Sequence, residues 1–218
     1  WVPMRYLQNS QWDTYTIAAK ILAQKGNYQY MDALPEFVKS HFGVDWDANW
    51  EKIYRTAYEK APQSFCAQND NLRILSWSDR EDIKDILARN TRLENPFGEI
   101  KNLLLHYQDR IKKNRADFDD LLLSIQFLEY IYDRQNNLLA FADSRKTDIR
   151  SVKTYLDRTS VEDSLFLLKI NSAWGRGRRS KPEEKKTEKD YMMSFYLASE
   201  YSKKLKENPA ELLQILKQ

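Results

Sequence analysis

The chain has 218 residues, 35 Lys/Arg against 32 Asp/Glu, and 42% hydrophobic and 13% aromatic residues. That apolar share supports a real core of bulky side chains, while only 5 Gly and 6 Pro argue against a sheet-rich fold with many tight turns. No apolar run approaches the ~20 residues of a membrane span, and a single cysteine, Cys66, excludes an internal disulfide and fits a reducing compartment.

Residues 171–218 carry 11 Lys/Arg against 7 Asp/Glu, and the preceding 170 residues carry 24 against 25, so the positive balance sits in the C-terminal quarter. The opening WVPMRYLQNS lacks the basic start and small-residue cleavage site of a signal peptide. A start at Trp1 rather than Met fits a fragment or a processed form. The expected location is intracellular, cytoplasmic or nuclear, with no membrane partner. His41 and His106 are the only histidines. Together with Cys66 they fall short of the four ligands a structural zinc site wants, and no metal or cofactor is expected.

Ser10 is a candidate cap for a first helix, with Asp13 in its first turn and Tyr15, Ala18, Ala19 and Leu22 at helical spacing. Gly26 suits its left-handed end. Asp32 is a candidate cap for a second helix, which places Pro35 in the first turn, where a missing N–H costs little. Leu34, Phe37, Val38 and Phe42 form its apolar face and Gly43 ends it. A third helix follows, capped by Asp45 or Asp47, with Trp50, Ile53, Tyr54 and Ala57 on one face and Pro62 as its stop. The period then changes. SFCAQNDNLRILSW holds two short apolar stretches around Asn69-Asp70-Asn71, which predicts a β-hairpin over 63–77 with Phe65, Leu72 and Ile74 near its inner face. Ser78 and Glu81 read as a capping box for the next helix.

From Pro96 onward the pattern is helical. FGEIKNLLLHYQDRIKK is one helix, and the run from Arg115 to Asp143 is the longest, apolar nearly all round, as suits a bundle centre or an interface. Ser160 reads as the cap of SVEDSLFLLKINSAW. Between that segment and the last two helices, the charged stretch near 174–189 is expected to be mobile. The fold class is therefore mainly α. An N-terminal winged-helix-like domain, three helices plus a β-hairpin, covers 1–92, and a helical bundle covers 93–218. A plain helical bundle with residues 63–77 as a loop is the alternative.

Leu22, Gly26, Leu34, Pro35, Phe37 and Gly43, followed by Phe65 near the predicted hairpin, resemble the LOTUS (OST-HTH) winged-helix domain over about a third of the chain, residues ~14–80. The acidic, Trp-rich start of the third helix (Asp45, Trp46, Asp47, Trp50) departs from that pattern. The resemblance implies RNA binding or docking onto a helicase-type partner rather than catalysis.

No Walker loop, GxGxxG or nucleophile elbow is present, so an enzyme is not expected. Cys66 with His41 or His106 lacks an activating signature and reads as a small buried residue. Asp117, Asp119 and Asp120 could seed a magnesium site, but carboxylates at a helix start also satisfy the dipole. WGRGRRSKPEEKK is the strongest functional hint. Arg176, Arg178 and Arg179, with Lys181, can pair with phosphates, and Trp174 can stack on a base. Glu183, Glu184 and Glu188 dilute that field. Lys52, Arg55 and Lys60 on the third helix could add phosphate contacts, yet that face is near neutral. Trp46, Trp50, Tyr54 and Tyr58 are candidates for a partner-binding surface or for core packing.

Two functions follow from these residues. The first is a non-enzymatic nucleic-acid-associated protein (RNA or DNA) that uses the winged-helix module and the arginine loop. The second is an assembly subunit whose long helix and last two helices dock onto a protein partner or a second copy, with Met192, Met193, Phe195 and Tyr196 as its markers if exposed.

Overall fold

A computed structural model describes residues 12–23, 29–60, 77–144, 148–177 and 191–217. Nine α-helices lie among them: α1 Trp12–Ala23, α2 Tyr30–Phe42, α3 Ala48–Lys60, α4 Arg80–Arg89, α5 Phe97–Tyr107, α6 Arg115–Asp143, α7 Ile149–Gly177, α8 Tyr191–Glu207 and α9 Pro209–Ile215. A short 3₁₀ turn, Gln108–Arg110, follows α5. No described helix is long and apolar enough to cross a membrane. The chain divides into two compact units, residues 1–61 with 96–129 and residues 62–95 with 130–218.

In the first unit α2, α3, α5 and the start of α6 share one aromatic core, and α1 packs against α2. Trp50 is fully buried and stacks on Tyr107 at 4.7 Å and Phe42 at 5.8 Å, while Phe118 meets Phe42 edge-on at 5.8 Å. The Asp47 carboxylate accepts from the N–H groups of Asn49 and Trp50 and caps α3. It also accepts the Tyr107 hydroxyl, which ties α3 to α5. Gly43 ends α2 at φ +71° and donates its N–H to the Lys39 carbonyl. A Cβ at that position would meet the Lys112 Cβ at 3.0 Å. Lys112 and Lys113 in turn donate their N–H groups to the Phe42 carbonyl, so the segment after α5 closes the end of α2.

In the second unit α4, α7, α8, α9 and the second half of α6 pack around Trp77, Ile83, Leu138, Val152, Leu156 and Leu205. Asp79 caps α4 by accepting from the Asp82 N–H, and Asp82 reaches back to the Ser78 N–H and hydroxyl. The capping box is therefore built one residue later than Ser78–Glu81.

The winged-helix architecture is overturned. No β-strand occurs among the described residues, and residues 63–76 of the expected hairpin lie outside them. The three N-terminal helices do not close on a wing. They complete their core with Tyr107 and Phe118, and Trp77, the one described residue of the expected hairpin, is buried in the core of the other unit. The LOTUS resemblance falls with the wing. Its helix–turn signals, Leu34-Pro35 and Gly43, mark a helix and its end and say nothing of what packs against it.

Local differences have local causes. Asp32 lies in the first turn of α2 rather than at its cap, which is Gln29, and Pro35 sits inside the helix. Among the described side chains of α1, Ile17 is buried, whereas Ala18, Ala19 and Leu22 are exposed, and the Tyr15 side chain lies outside the described set. The expected caps Ser10 and Gly26 lie outside the described residues. Ser160 does not start a helix: α7 runs unbroken from Ile149, with Ser160 buried in mid-helix and its carbonyl accepting the Ser164 hydroxyl.

Candidate functional site

The most unusual surface of the second unit lies on α7. Its N-terminus is fixed by Asp148, whose Oδ1 accepts the Ser151 N–H at 2.7 Å. That bond and the Ser151 side chain hold the exposed Asp148 carboxyl below its ordinary value. One side of α7, carrying Val152, Leu156, Asp163, Phe166 and Ile170, is buried in the bundle. Its rotation is set by a buried ionic cluster. Arg134 of α6 donates from Nε to Asp163 Oδ1 at 2.9 Å and from Nη2 to Asp163 Oδ2 at 3.0 Å. The Tyr130 hydroxyl donates to Asp163 Oδ1 at 2.5 Å, and the Ser202 hydroxyl of α8 to Oδ2 at 2.6 Å. Burial first, and then the Asp163 charge, push the Tyr130 hydroxyl well above the usual phenol value. The Arg134 guanidinium also lies 3.4 Å from the centroid of the Trp77 ring. Trp77 has φ +36°, uncommon for an aromatic residue, and its full burial against Arg134 offsets that local strain. The cluster satisfies its charges internally and is a structural clamp.

The opposite side of α7 carries a different surface. A helix advances about 100° per residue, so Val161, Leu165 and Leu168, at i, i+4 and i+7, lie on one line, across the helix axis from Asp163, Phe166 and Ile170. Val161 is 54% exposed, Leu165 56% and Leu168 65%. Towards the N-terminus the same line continues through Arg158, Thr154 and Arg150. These three border a cleft of about 380 Å³ that Phe141 and Tyr155 also line, their rings stacked at 4.5 Å. Burial raises the Tyr155 hydroxyl to about 12. An aliphatic ridge thus runs into a cleft with an aromatic wall and two guanidinium groups.

The residues singled out in the sequence are placed as follows. Trp50 and Tyr54 are buried in the first core, and Trp46 stacks on Tyr54 at 6.1 Å; the Tyr58 side chain lies outside the described set. Lys52 pairs with Glu99, Arg55 pairs with Glu51 at 2.7 Å, and Lys60 is exposed. Trp174 and Arg176 belong to the last turn of α7, where only the backbone is described, and Arg178, Arg179 and Lys181 lie outside the described residues, as does Cys66. Phe195 is fully buried and Tyr196 half-buried, while the Met192 and Met193 side chains are outside the described set. The proposed nucleic-acid function loses the winged-helix module on which it rested.

The three acids at the start of α6 are separated by their partners. His41 Nε2 lies 2.9 Å from Asp117 Oδ2, with Asn114 Nδ2 3.2 Å from His41 Nδ1. An Nε2–H tautomer satisfies both contacts, donating to Asp117 and accepting from Asn114. Asp119 pairs with Arg115 at 2.9 Å, and Asp120 is buried. Among the described residues no group of three or more His, Cys, Asp or Glu side chains is placed to hold a metal ion. Comparison of the chain with protein-family models, with curated proteins and with solved structures finds no match.

The α7 ridge was within reach of the sequence. VEDSLFLLKI carries two apolar sets on opposite sides, Val161, Leu165 and Leu168 against Phe166 and Ile170. A helix apolar on two sides needs two partners, and that pattern is the signal of the ridge. The Arg134–Asp163 pair carried a weaker one: an arginine within the apolar α6.

Proposed function

We propose that the chain is a non-enzymatic, intracellular assembly subunit that docks a protein partner on the exposed face of α7. One observation carries this reading: Val161, Leu165 and Leu168 are more than half exposed and share a line on a helix whose other side is already buried. A single exposed leucine is ordinary on a protein surface. Three in register on a helix with a complete core face mark a contact site, because burying them again releases the water they order. The adjoining cleft, with Arg150 and Arg158 beside Phe141, supplies the polar rim and the arginine–aromatic chemistry that interfaces favour. The lone cysteine supports an intracellular setting.

The test is an affinity pull-down with the full chain and its V161S/L165S/L168S variant, with and without nuclease, both baits first checked for equal helical content. Protein recovered by the wild type, insensitive to nuclease and lost with the triple variant, supports docking on α7. Recovery that the triple variant leaves unchanged overturns it.

A further inference from the structure

We propose that the occupant of this face is a second copy of the chain, packed with α7 antiparallel to itself across a two-fold axis at Leu165; the inference rests on the docking reading above. A two-fold contact needs a self-complementary patch, and the ridge is one. With the axis at Leu165, that residue faces its own copy, and Val161 faces Leu168 of the other copy, as in an antiparallel helical seam.

The charges beside the ridge select this arrangement. Glu162 and Lys169 follow Val161 and Leu168 and therefore lie on the same flank. Antiparallel pairing brings like flanks together, so Glu162 of one copy meets Lys169 of the other, twice by symmetry. Beside the ridge residues the other flank holds Ser164 and Asn171, which are uncharged, with Asp157 two turns before Ser164. A parallel pairing instead brings opposite flanks together: it sets Lys169 beside the uncharged Ser164 and Glu162 beside Asp157, a carboxylate that Lys206 of its own chain already pairs at 3.1 Å, so neither charge gains a partner. Within the chain Glu162 makes only a long ion pair with Arg158, at 3.9 Å and beyond hydrogen-bond reach, and the exposed Lys169 ammonium rests 5.6 Å from the Phe166 ring centroid, so an ion pair across the two-fold axis competes with weak contacts. Three aliphatic side chains per copy make a small contact, so the pairing belongs to the weak, reversible class and depends on concentration.

Sedimentation equilibrium of the full chain from ~1 µM to ~1 mM reads the pairing. The wild type dimerises reversibly within this range, and L165E remains monomeric. E162K and K169E each weaken the dimer roughly fivefold, and the double variant E162K/K169E, which restores opposite charges, recovers the wild-type constant. Cross-linking reads the geometry independently. In a C66S background, oxidised L165C forms a covalent dimer and S172C does not, whereas V161C and L168C link only when mixed. A chain that is monomeric throughout, a double swap as weak as the singles, or S172C linking as readily as L165C overturns the proposal. A monomeric wild type whose pull-down is still abolished by V161S/L165S/L168S removes self-pairing alone; a pull-down indifferent to that variant removes the docking reading itself.

Discussion

Arg134 of α6 and Asp163 of α7 are joined by two parallel charge-assisted hydrogen bonds in a site from which both side chains are almost wholly excluded from solvent. Removing either partner strands the other charge in the interior. R134A and D163A are each expected to lose about 3–5 kcal/mol of stability. The R134A/D163A double variant is expected to lose much less than the sum, because no unpaired charge remains. Urea denaturation of the four proteins checks this. Equal, additive losses would mean that the pair is not coupled.

Trp50 and Trp46 are four residues apart with different fates. Trp50 is enclosed by Phe42, Tyr54, Tyr107 and Phe118, whereas Trp46 touches Tyr54 from a half-buried position. W50A is expected to cost about 3–5 kcal/mol and W46A about 1 kcal/mol, read as shifts in the denaturation midpoint. The reverse order would place the aromatic contact surface where the core is described.

Two groups set the pH limits of this core. Tyr107 is raised to about 12, by burial first and by its hydrogen bond to Asp47 second. A raised phenol contributes stability that is intact below its ordinary value of 10.0 and is lost as pH climbs from there to about 12. Burial pushes Asp47 up, but the bonds from Tyr107 and from the Trp50 and Asn49 N–H groups outweigh it and leave the carboxyl below 3.8. Its contribution is intact above that value and is lost as pH falls through the lower folded one. Tyrosinate absorbance and circular dichroism, followed together, are expected to show an alkaline loss of structure between about 10 and 12 that Y107F shifts. A Tyr107 that titrates near 10 with the fold intact would contradict the Asp47–Tyr107 link.

Gly43 combines a left-handed φ with a close approach to Lys112. G43A is expected to destabilise the first unit by at least ~1 kcal/mol, since a Cβ is strained there whatever the space. A thermal midpoint equal to that of the wild type would contradict the described end of α2.

Where local chemistry decides, the sequence was readable. Asp47 caps α3 because its carboxylate is one residue ahead of the helix, and the span of α6 follows from its apolar run and its flanking polar residues. Where distant packing decides, it was not. Trp50 finds Tyr107 more than fifty residues away, and no periodicity around Trp50 reports that. An alternating rhythm after Pro62 suggested a wing, but Trp77 is held in the second core by Arg134 and its neighbours. Ser160 carries the local signature of a cap, an Asp three residues on, yet Val152 and Leu156 bury the preceding turns and carry the helix through it.

The claim on which the functional account turns is that the ridge of α7 is covered in the working assembly. Photo-cross-linking from a benzophenone amino acid placed at Leu168, in cells making the full chain, tests it directly, with the half-buried Lys84 of α4 as the control position. The account predicts discrete protein adducts from position 168 and none from position 84. Adducts from both positions alike, or from neither, would contradict it.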